Sequence, residues 1–161
     1  MTLRPVRQVA GLLVWIAICF AAAGLGGLVT TPNIPEWYAQ LAKPAWTPPS
    51  WVFGPVWSCL YLMMAVSAWL VWRKDGLTKA KLPIGMFAGQ LGLNSAWSVL
   101  FFGLHSPFGA FVDIILLWVA IVATVAVFWH WSRWASLLLV PYLAWVSFAA
   151  LLNLAMWRMN A

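Results

Sequence analysis

The chain has 161 residues, of which 65% are hydrophobic and only 7% are charged. A soluble domain carries about 25% charged residues, so this composition excludes a soluble globular enzyme, and the high hydrophobicity excludes a disordered chain. The net charge of +6 does not indicate nucleic-acid binding, because the basic residues lie at the ends of apolar segments and form no continuous stripe. We therefore expect an integral membrane protein. Its 14 tryptophans are more than anchoring in a bilayer requires.

Long apolar segments follow one another along the chain. A helix needs about 20 mostly apolar residues to cross a bilayer, and five segments meet this length without the alternating pattern of a membrane β-strand. The sequence therefore predicts an all-α integral membrane protein, with one domain over residues 1–161 and a bundle of five transmembrane helices. The predicted helices span about 9–29, 52–72, 82–104, 108–131 and 134–157.

The connection between the first two predicted helices, residues 30–50, is unusually rich in proline. It contains Pro32, Pro35, Pro44, Pro48 and Pro49. Proline makes a chain stiff and interrupts helices, so we expect a rigid loop that covers one end of the bundle as a lid. Residues 36–43, EWYAQLAK, are predicted to form a short helix with Pro35 in its first turn.

Basic residues are distributed unequally between the two ends of the predicted helices. One end has seven of them and the other has two, Lys43 and Arg158. The positive-inside rule then predicts a cytoplasmic N-terminus and an outward-facing proline-rich loop in a bacterial cell membrane. The seven residues are Arg4, Arg7, Arg73, Lys74, Lys79, Lys81 and Arg133.

Three predicted helices carry aromatic or polar faces at intervals of three or four residues. If these faces point inward, they line a cavity with flat aromatic surfaces and a few amide groups, which suits a planar, largely apolar ligand. The alternative remains open that the amides join helices and the tryptophans anchor the protein at the membrane surface. The faces comprise Trp57 and Tyr61 in the second helix, Gln90, Asn94 and Trp97 in the third, and Trp145, Ala149 and Asn153 in the fifth.

Two further features of the predicted helices have more than one interpretation. Asp113 in the fourth helix is either a proton or substrate partner, or a carboxylate near the membrane surface that pairs with a hydroxyl, an amide or water. Gly85, Gly89 and Gly92 of the third helix allow close approach of a neighbouring backbone. That neighbour is either another helix of the same bundle or a second copy of the protein, and we expect a homodimer.

The sequence contains no recognisable metal or catalytic set. His105 and His130 have no Cys, Asp or Glu at a spacing typical of metal ligands, and no nucleophile and base can be paired. We expect no metal and no obligatory cofactor.

Three motifs of the sequence are similar to those of a known family. They are LAKPAWTPPSWVFGPVW at 41–57, QLGLNSAWSVLFFG at 90–103, and VPYLAW at 140–145 followed by Leu152–Asn153. The chain resembles the translocator protein/tryptophan-rich sensory protein family, which includes the mitochondrial peripheral benzodiazepine receptor, in its bacterial type. The resemblance runs in order from Trp37 to Trp157.

The resemblance implies a dimeric five-helix membrane receptor or sensor. It would bind porphyrins, such as protoporphyrin or haem-type tetrapyrroles, and benzodiazepine- or isoquinoline-like ligands inside the bundle, with a role in tetrapyrrole transport or regulation. The alternative is light-dependent degradation of bound protoporphyrin, with Trp57 or Trp145 as catalytic electron donors. The implied pocket residues are Trp57, Asn94, Trp145 and Ala149, with Trp46, Trp51 and Gln90 nearby.

One departure from the family concerns sterols. Sterol-binding members have a tyrosine after the Leu-Asn pair of the fifth helix, whereas Leu154 occupies that position here. The resemblance therefore does not imply sterol recognition through that motif, which is a weak pattern in any case.

Overall fold

The computed structural model describes residues 5–161, and helices account for nearly all of them. Arg4, which contributes to the predicted orientation, lies outside the described residues. Six α-helices occur in the described part: α1 (Pro5–Asn33), α2 (Ser50–Lys79), α3 (Lys81–Ser98), α4 (Pro107–Trp131), α5 (Arg133–Leu138) and α6 (Val140–Met159). The predicted all-α class is confirmed.

The first helix is longer than predicted, and the proline-rich loop is correspondingly shorter. α1 includes Pro32 and continues directly into a π-helical turn, Ile34–Tyr38. Pro35 lies in the first turn of that segment as expected, but the segment extends α1 and is not a separate short helix. Residues 41–49 then form the non-helical connection, which is called the proline-rich loop below.

The predicted fifth helix, 134–157, is wrong as one continuous helix. It is divided at Leu139 into α5 and α6, and Pro141 lies in the first turn of α6. Proline has no backbone N–H to continue the hydrogen-bond ladder, and its ring clashes with the preceding turn. At the division, the amide of Leu139 bonds to Ser136 O at 3.0 Å, one residue closer along the chain than in an α-helix.

Four stretches of described helix are long and apolar enough to cross a bilayer. They are Pro5–Tyr38, Ser50–Lys74, Pro107–Trp131 and Arg133–Met159. The predicted third span forms α3 and a π-helical turn, Val99–Gly103, but it is not among the four. Gln90 and Asn94 lower its hydropathy, so the count of five spanning helices is not confirmed.

One end of the bundle collects basic and tryptophan side chains. Trp69 Nε1 donates to Gln8 O at 2.9 Å, which joins the end of α2 to the start of α1. Arg73 lies 4.5 Å over the Trp69 ring, and Lys74 Nζ donates to the carbonyl of Trp131 at the end of α4. This basic end is separated from the opposite end, where the cavity lies, by a core that includes the stacked rings of Phe87 and Phe128.

Candidate ligand cavity

A cavity of about 650 Å³ lies inside the bundle at the end away from the basic residues. Its volume falls within the range of about 300–1,000 Å³ that is typical of small-molecule sites. α1, α2, α3, α4 and α6 all contribute to its wall. Seven of the ten ligand-binding residues proposed from the sequence lie on this wall: Trp57, Tyr61, Asn94, Trp97, Trp145, Ala149 and Asn153.

Aromatic rings pack edge to face and face to face around the cavity. Trp57 lies 5.7 Å from Tyr61, one turn further along α2. Phe53 meets Trp145 of α6 at 5.9 Å with an interplanar angle of 73°. Such pairs add rigidity as well as apolar surface, so the wall presents fixed, flat surfaces to any occupant.

Asn153 has a structural role that its position on the helix face does not reveal. Its Oδ1 accepts from Trp97 Nε1 at 2.9 Å, and its Nδ2 donates to Pro107 O at 2.8 Å. The amide therefore joins α6 to α3 and to the start of α4. It also holds the Trp97 indole, which stacks on Phe101 at 5.0 Å.

Asn94 differs from Asn153 in the hydrogen bonding of its side-chain amide. Its side chain is buried on the cavity wall, and its Nδ2 has no hydrogen-bond partner among residues 5–161. A buried amide donor without a partner is costly in an apolar setting. Asn94 is therefore the wall residue best placed to hydrogen-bond an occupant.

Ala149 and two glycines of α1 supply the space in the cavity. Ala149 lies on α6 between Trp145 and Asn153, one turn from each, and its small side chain leaves room in front of the rings. Opposite, Gly24 and Gly27 line the cavity, and a Cβ at either position would meet no described heavy atom within 4 Å. No α1 residue was proposed from the sequence, although the run AAAGLGG at 21–27 indicates a helix face without bulk.

Three of the ten ligand-binding residues proposed from the sequence lie outside the cavity wall. Trp51 is 75% exposed and Trp46 is 51% exposed; neither lines the cavity, and Trp46 packs on Phe148 at 5.8 Å on the outer side of α6. Trp46 belongs to the proline-rich loop and Trp51 to the first turn of α2, and their part in ligand binding stays a prediction. Gln90 is buried one turn below Asn94, outside the cavity lining.

The proline-rich loop is attached to the end of α6 and to the π-helical turn that precedes the loop. Ala42 N donates to Asn160 Oδ1 at 2.9 Å, and Asn160 Nδ2 donates to Ala42 O at 2.9 Å, so the loop is tied to the end of α6. Lys43 Nζ lies 4.7 Å over the ring of Tyr38, which itself lines the cavity. These contacts hold the loop at the cavity end of the bundle and bring one positive charge there.

The histidine of the turn before α4 stabilises the same end of the bundle. The His105 ring stacks on Trp37 at 4.5 Å, and its Nε2 lies 2.9 Å from Asn33 Oδ1. Trp37 also meets Phe101 edge to face at 5.3 Å. His105 therefore packs between the end of α1 and the π-helical turn that follows it.

Asp113 and the three glycines of α3, whose roles the sequence leaves open, lie outside the cavity wall. Asp113 is buried on α4, and its Oδ2 has no hydrogen-bond partner among the described residues, so the expected hydroxyl or amide partner is not found for that atom. Gly85, Gly89 and Gly92 are exposed on α3, and a Cβ at each would meet no described heavy atom within 4 Å. These glycines therefore do not support close packing within the described bundle.

Comparison with known proteins identifies the family of this chain. The model of the TspO/MBR family matches residues 15–158. The chain belongs to the TspO/MBR family. It is 41% identical to the tryptophan-rich protein TspO of Archaeoglobus fulgidus over 96% of this chain and 97% of that protein. It is 46% identical to human translocator protein over 78% and 75% of the two chains.

Membership of the TspO/MBR family also accounts for the apolar helices, because this is a family of membrane proteins. The tryptophan-rich sensory protein of Cereibacter sphaeroides is 36% identical, over 92% of this chain and 90% of that protein. The names of these relatives describe a translocator and a sensor. The family motifs recognised in the sequence contribute Trp57, Asn94, Trp145 and Ala149 to one cavity in this chain.

Proposed function

We propose that this protein is a membrane receptor or sensor that binds flat, largely apolar ligands, above all porphyrins, in the aromatic cavity. The observation that carries the proposal is the meeting of Trp57, Trp97 and Trp145 around a single cavity of about 650 Å³. Indole faces stack on planar conjugated rings, and Ala149 leaves the gap that a ring requires.

The charge near the cavity supports a porphyrin as the ligand. A protoporphyrin has a large apolar ring and two carboxylates on one edge. Lys43, held over Tyr38 at the cavity end of the bundle, offers a positive charge for that edge, and opposite charges attract more strongly where water is scarce. The ring would then lie inward between Trp57 and Trp145, and isoquinoline- or benzodiazepine-like molecules would use the same aromatic surfaces.

The binding proposal is tested by titrating protoporphyrin IX into the protein in lipid nanodiscs and following tryptophan fluorescence. We expect saturable quenching, and a loss of affinity of about tenfold or more in Trp57→Ala because a stacking surface is removed. Trp134→Phe is the matched control, since Trp134 is 74% exposed and lies away from the cavity. Linear quenching without saturation, or equal losses in the two variants, would refute the proposal.

A second candidate function is the light-dependent degradation of the bound porphyrin. It is favoured by the presence of two oxidisable indoles, Trp57 and Trp145, on the wall of the same cavity. Illumination of the complex in the presence of dioxygen, with the Soret band followed over time, separates binding from turnover. If the Soret band fades no faster than that of free protoporphyrin in protein-free nanodiscs, the degradation function is refuted and only the receptor function stands.

We also propose a homodimer through the face of α3 formed by Gly85, Gly89 and Gly92. Helices in membranes associate through small residues that allow close backbone approach, and this face is exposed in the single chain. Oxidative cross-linking of Gly89→Cys, in a Cys59→Ser background because Cys59 is exposed, should give a covalent dimer. Val119→Cys on the outer face of α4 should not, and equal cross-linking of both would argue against this interface.

The orientation follows the charge distribution between the two ends. We propose that the basic end faces the cytoplasm, with the N-terminus there and the proline-rich loop outside. A membrane-impermeant thiol reagent should label Ala42→Cys in intact cells but not Lys79→Cys, both in a Cys59→Ser background. The reverse labelling would overturn this orientation.

A further inference from the structure

The basic end of the bundle carries a large excess of positive charge. The sequence places one acidic residue there, Asp75, and one carboxylate offsets only one of six positive charges. The other two acidic residues lie toward the opposite end, Glu36 in the π-helical turn after α1 and Asp113 in the second turn of α4. The six basic residues of this end within the described range are Arg7, Arg73, Lys74, Lys79, Lys81 and Arg133.

Lys74 brings its positive charge from α2 to the end of α4. Its Nζ donates to the carbonyl of Trp131, the last residue of α4, where the backbone carbonyls have no partner within the helix. One N–H of the ammonium group is thereby used, and two others are available. Arg133 begins α5 two residues after Trp131, so cations from two helices lie beside the turn between α4 and α5.

The guanidinium group of Arg133 is held by an aromatic ring. It lies 5.5 Å over the ring of Trp129, in the last turn of α4, and the ring attracts the cation and limits its motion. The N–H donors of arginine point outward in the plane of the group, so a ring against one face leaves them accessible. Among the side chains that the structure describes, none accepts a hydrogen bond from them. A planar set of free donors fits a phosphate group.

An exposed apolar surface continues from these cations along α5. Leu137 lies one helical turn after Arg133, on the same face of the helix, and is 46% exposed, while the neighbouring Trp134 is 74% exposed. A small soluble anion would contact the cations alone. A phospholipid uses both parts, because its phosphate meets the basic groups at the membrane surface and its acyl chains cover the apolar side chains.

We propose that Lys74 and Arg133 bind the phosphate of an anionic phospholipid, of the phosphatidylglycerol class, at the turn between α4 and α5. Arg133 donates to two phosphate oxygens and Lys74 to a third, and the acyl chains lie along Trp134 and Leu137. A phosphatidylcholine would bring a further positive charge to the same cations, so the anionic headgroup is preferred. This lipid site is separate from the aromatic cavity and does not depend on the proposed function.

The lipid site is tested by native mass spectrometry of the protein in detergent. Palmitoyl-oleoyl phosphatidylglycerol and palmitoyl-oleoyl phosphatidylcholine, which share their acyl chains, are added at equal concentration, and the retained lipid is identified by its mass. We expect the native protein to retain the phosphatidylglycerol in preference by about fivefold or more, because basic groups attract an anionic headgroup. Lys74→Gln and Arg133→Gln should each remove most of this preference.

Lys81→Gln is the matched control, because it removes one positive charge from the same end. The Lys81 side chain is exposed and makes no hydrogen bond or ring contact with the described residues, so this variant should keep the preference. An equal loss in all three variants would mean that the overall charge of the basic end attracts the lipid, which overturns the site. Unchanged preference in Lys74→Gln and Arg133→Gln also overturns it. Equal retention of the two lipids by the native protein does the same without any variant.

Discussion

At the residue scale, two asparagines on the cavity wall have different roles. Asn153 uses both ends of its amide to join Trp97 to the start of α4, whereas Asn94 keeps an unpartnered donor. The sequence places both on polar helix faces and cannot distinguish them, because the difference depends on which carbonyl or indole lies opposite. Asn153 therefore organises the wall, and Asn94 is available to contact an occupant.

Replacement of Asn153 by alanine tests this distinction. The change leaves Trp97 Nε1 and Pro107 O without their partner, so we expect a loss of about 2–4 kcal/mol in the free energy of unfolding. Reversible unfolding of the protein in mixed micelles measures it. Ser95→Ala, which breaks a bond within one helix, should cost less than about 1 kcal/mol. Similar losses in both variants would mean that Asn153 does not join the helices.

The small side chain of Ala149 is expected to determine whether a ring fits. Ala149→Leu adds three carbons to the cavity wall between Trp145 and Asn153, and we expect protoporphyrin IX affinity to fall by about tenfold or more through steric exclusion. Ala144→Leu, on the exposed side of the same helix, should leave it unchanged. Fluorescence titration compares the two, and equal affinities would place the ligand away from Ala149.

At the element scale, one side chain at the end of α6 makes two hydrogen bonds to the proline-rich loop. Asn160→Ala removes both hydrogen bonds to Ala42, so hydrogen–deuterium exchange should become faster across 41–47. Exchange reports local opening. Ser132→Ala changes the N-cap of α5 at the opposite end and should leave the loop protected. Unchanged exchange in Asn160→Ala would show that the loop is held by other contacts.

The contact between α1 and α2 depends on the absence of a side chain at Gly11. A Cβ there would lie 2.1 Å from the Trp72 ring, so Gly11→Ala should separate the helices and destabilise the fold by about 1–3 kcal/mol. Gly24→Ala on the same helix has open space and should be neutral or stabilising, because alanine favours helix. Thermal unfolding in detergent distinguishes them, and equal stabilities would contradict this packing.

Sequence predicts the elements of this fold better than the cavity they enclose. Long apolar runs must be helical in a bilayer to pair their backbone groups, so four spans are recognisable in advance. The cavity wall is predictable where aromatic and amide residues repeat on one face, as in α2, α3 and α6. α1 is apolar all round and gives no such periodicity, so Gly24 cannot be singled out from the sequence. The path of a proline-rich loop is set by tertiary contacts, so the exposure of Trp46 cannot be predicted either.

At the scale of the whole molecule, two groups of tryptophans lie at opposite ends of the bundle. Trp69 and Trp129 lie under arginines at the basic end, an arrangement typical of a membrane interface. Trp57, Trp97 and Trp145 surround the cavity at the other end. Three of the 14 tryptophans thus belong to the cavity wall and not to a membrane interface.

We predict that the aromatic cavity binds the ligand, and a structure of the protein in lipid with protoporphyrin IX bound would show where the macrocycle lies. The macrocycle should lie against Trp57 and Trp145 and touch Ala149, with its carboxylates toward Lys43. Well-defined porphyrin density on the outer groove beside Trp46 and Arg158, or on the glycine face of α3, with the aromatic cavity free of it, would contradict this prediction.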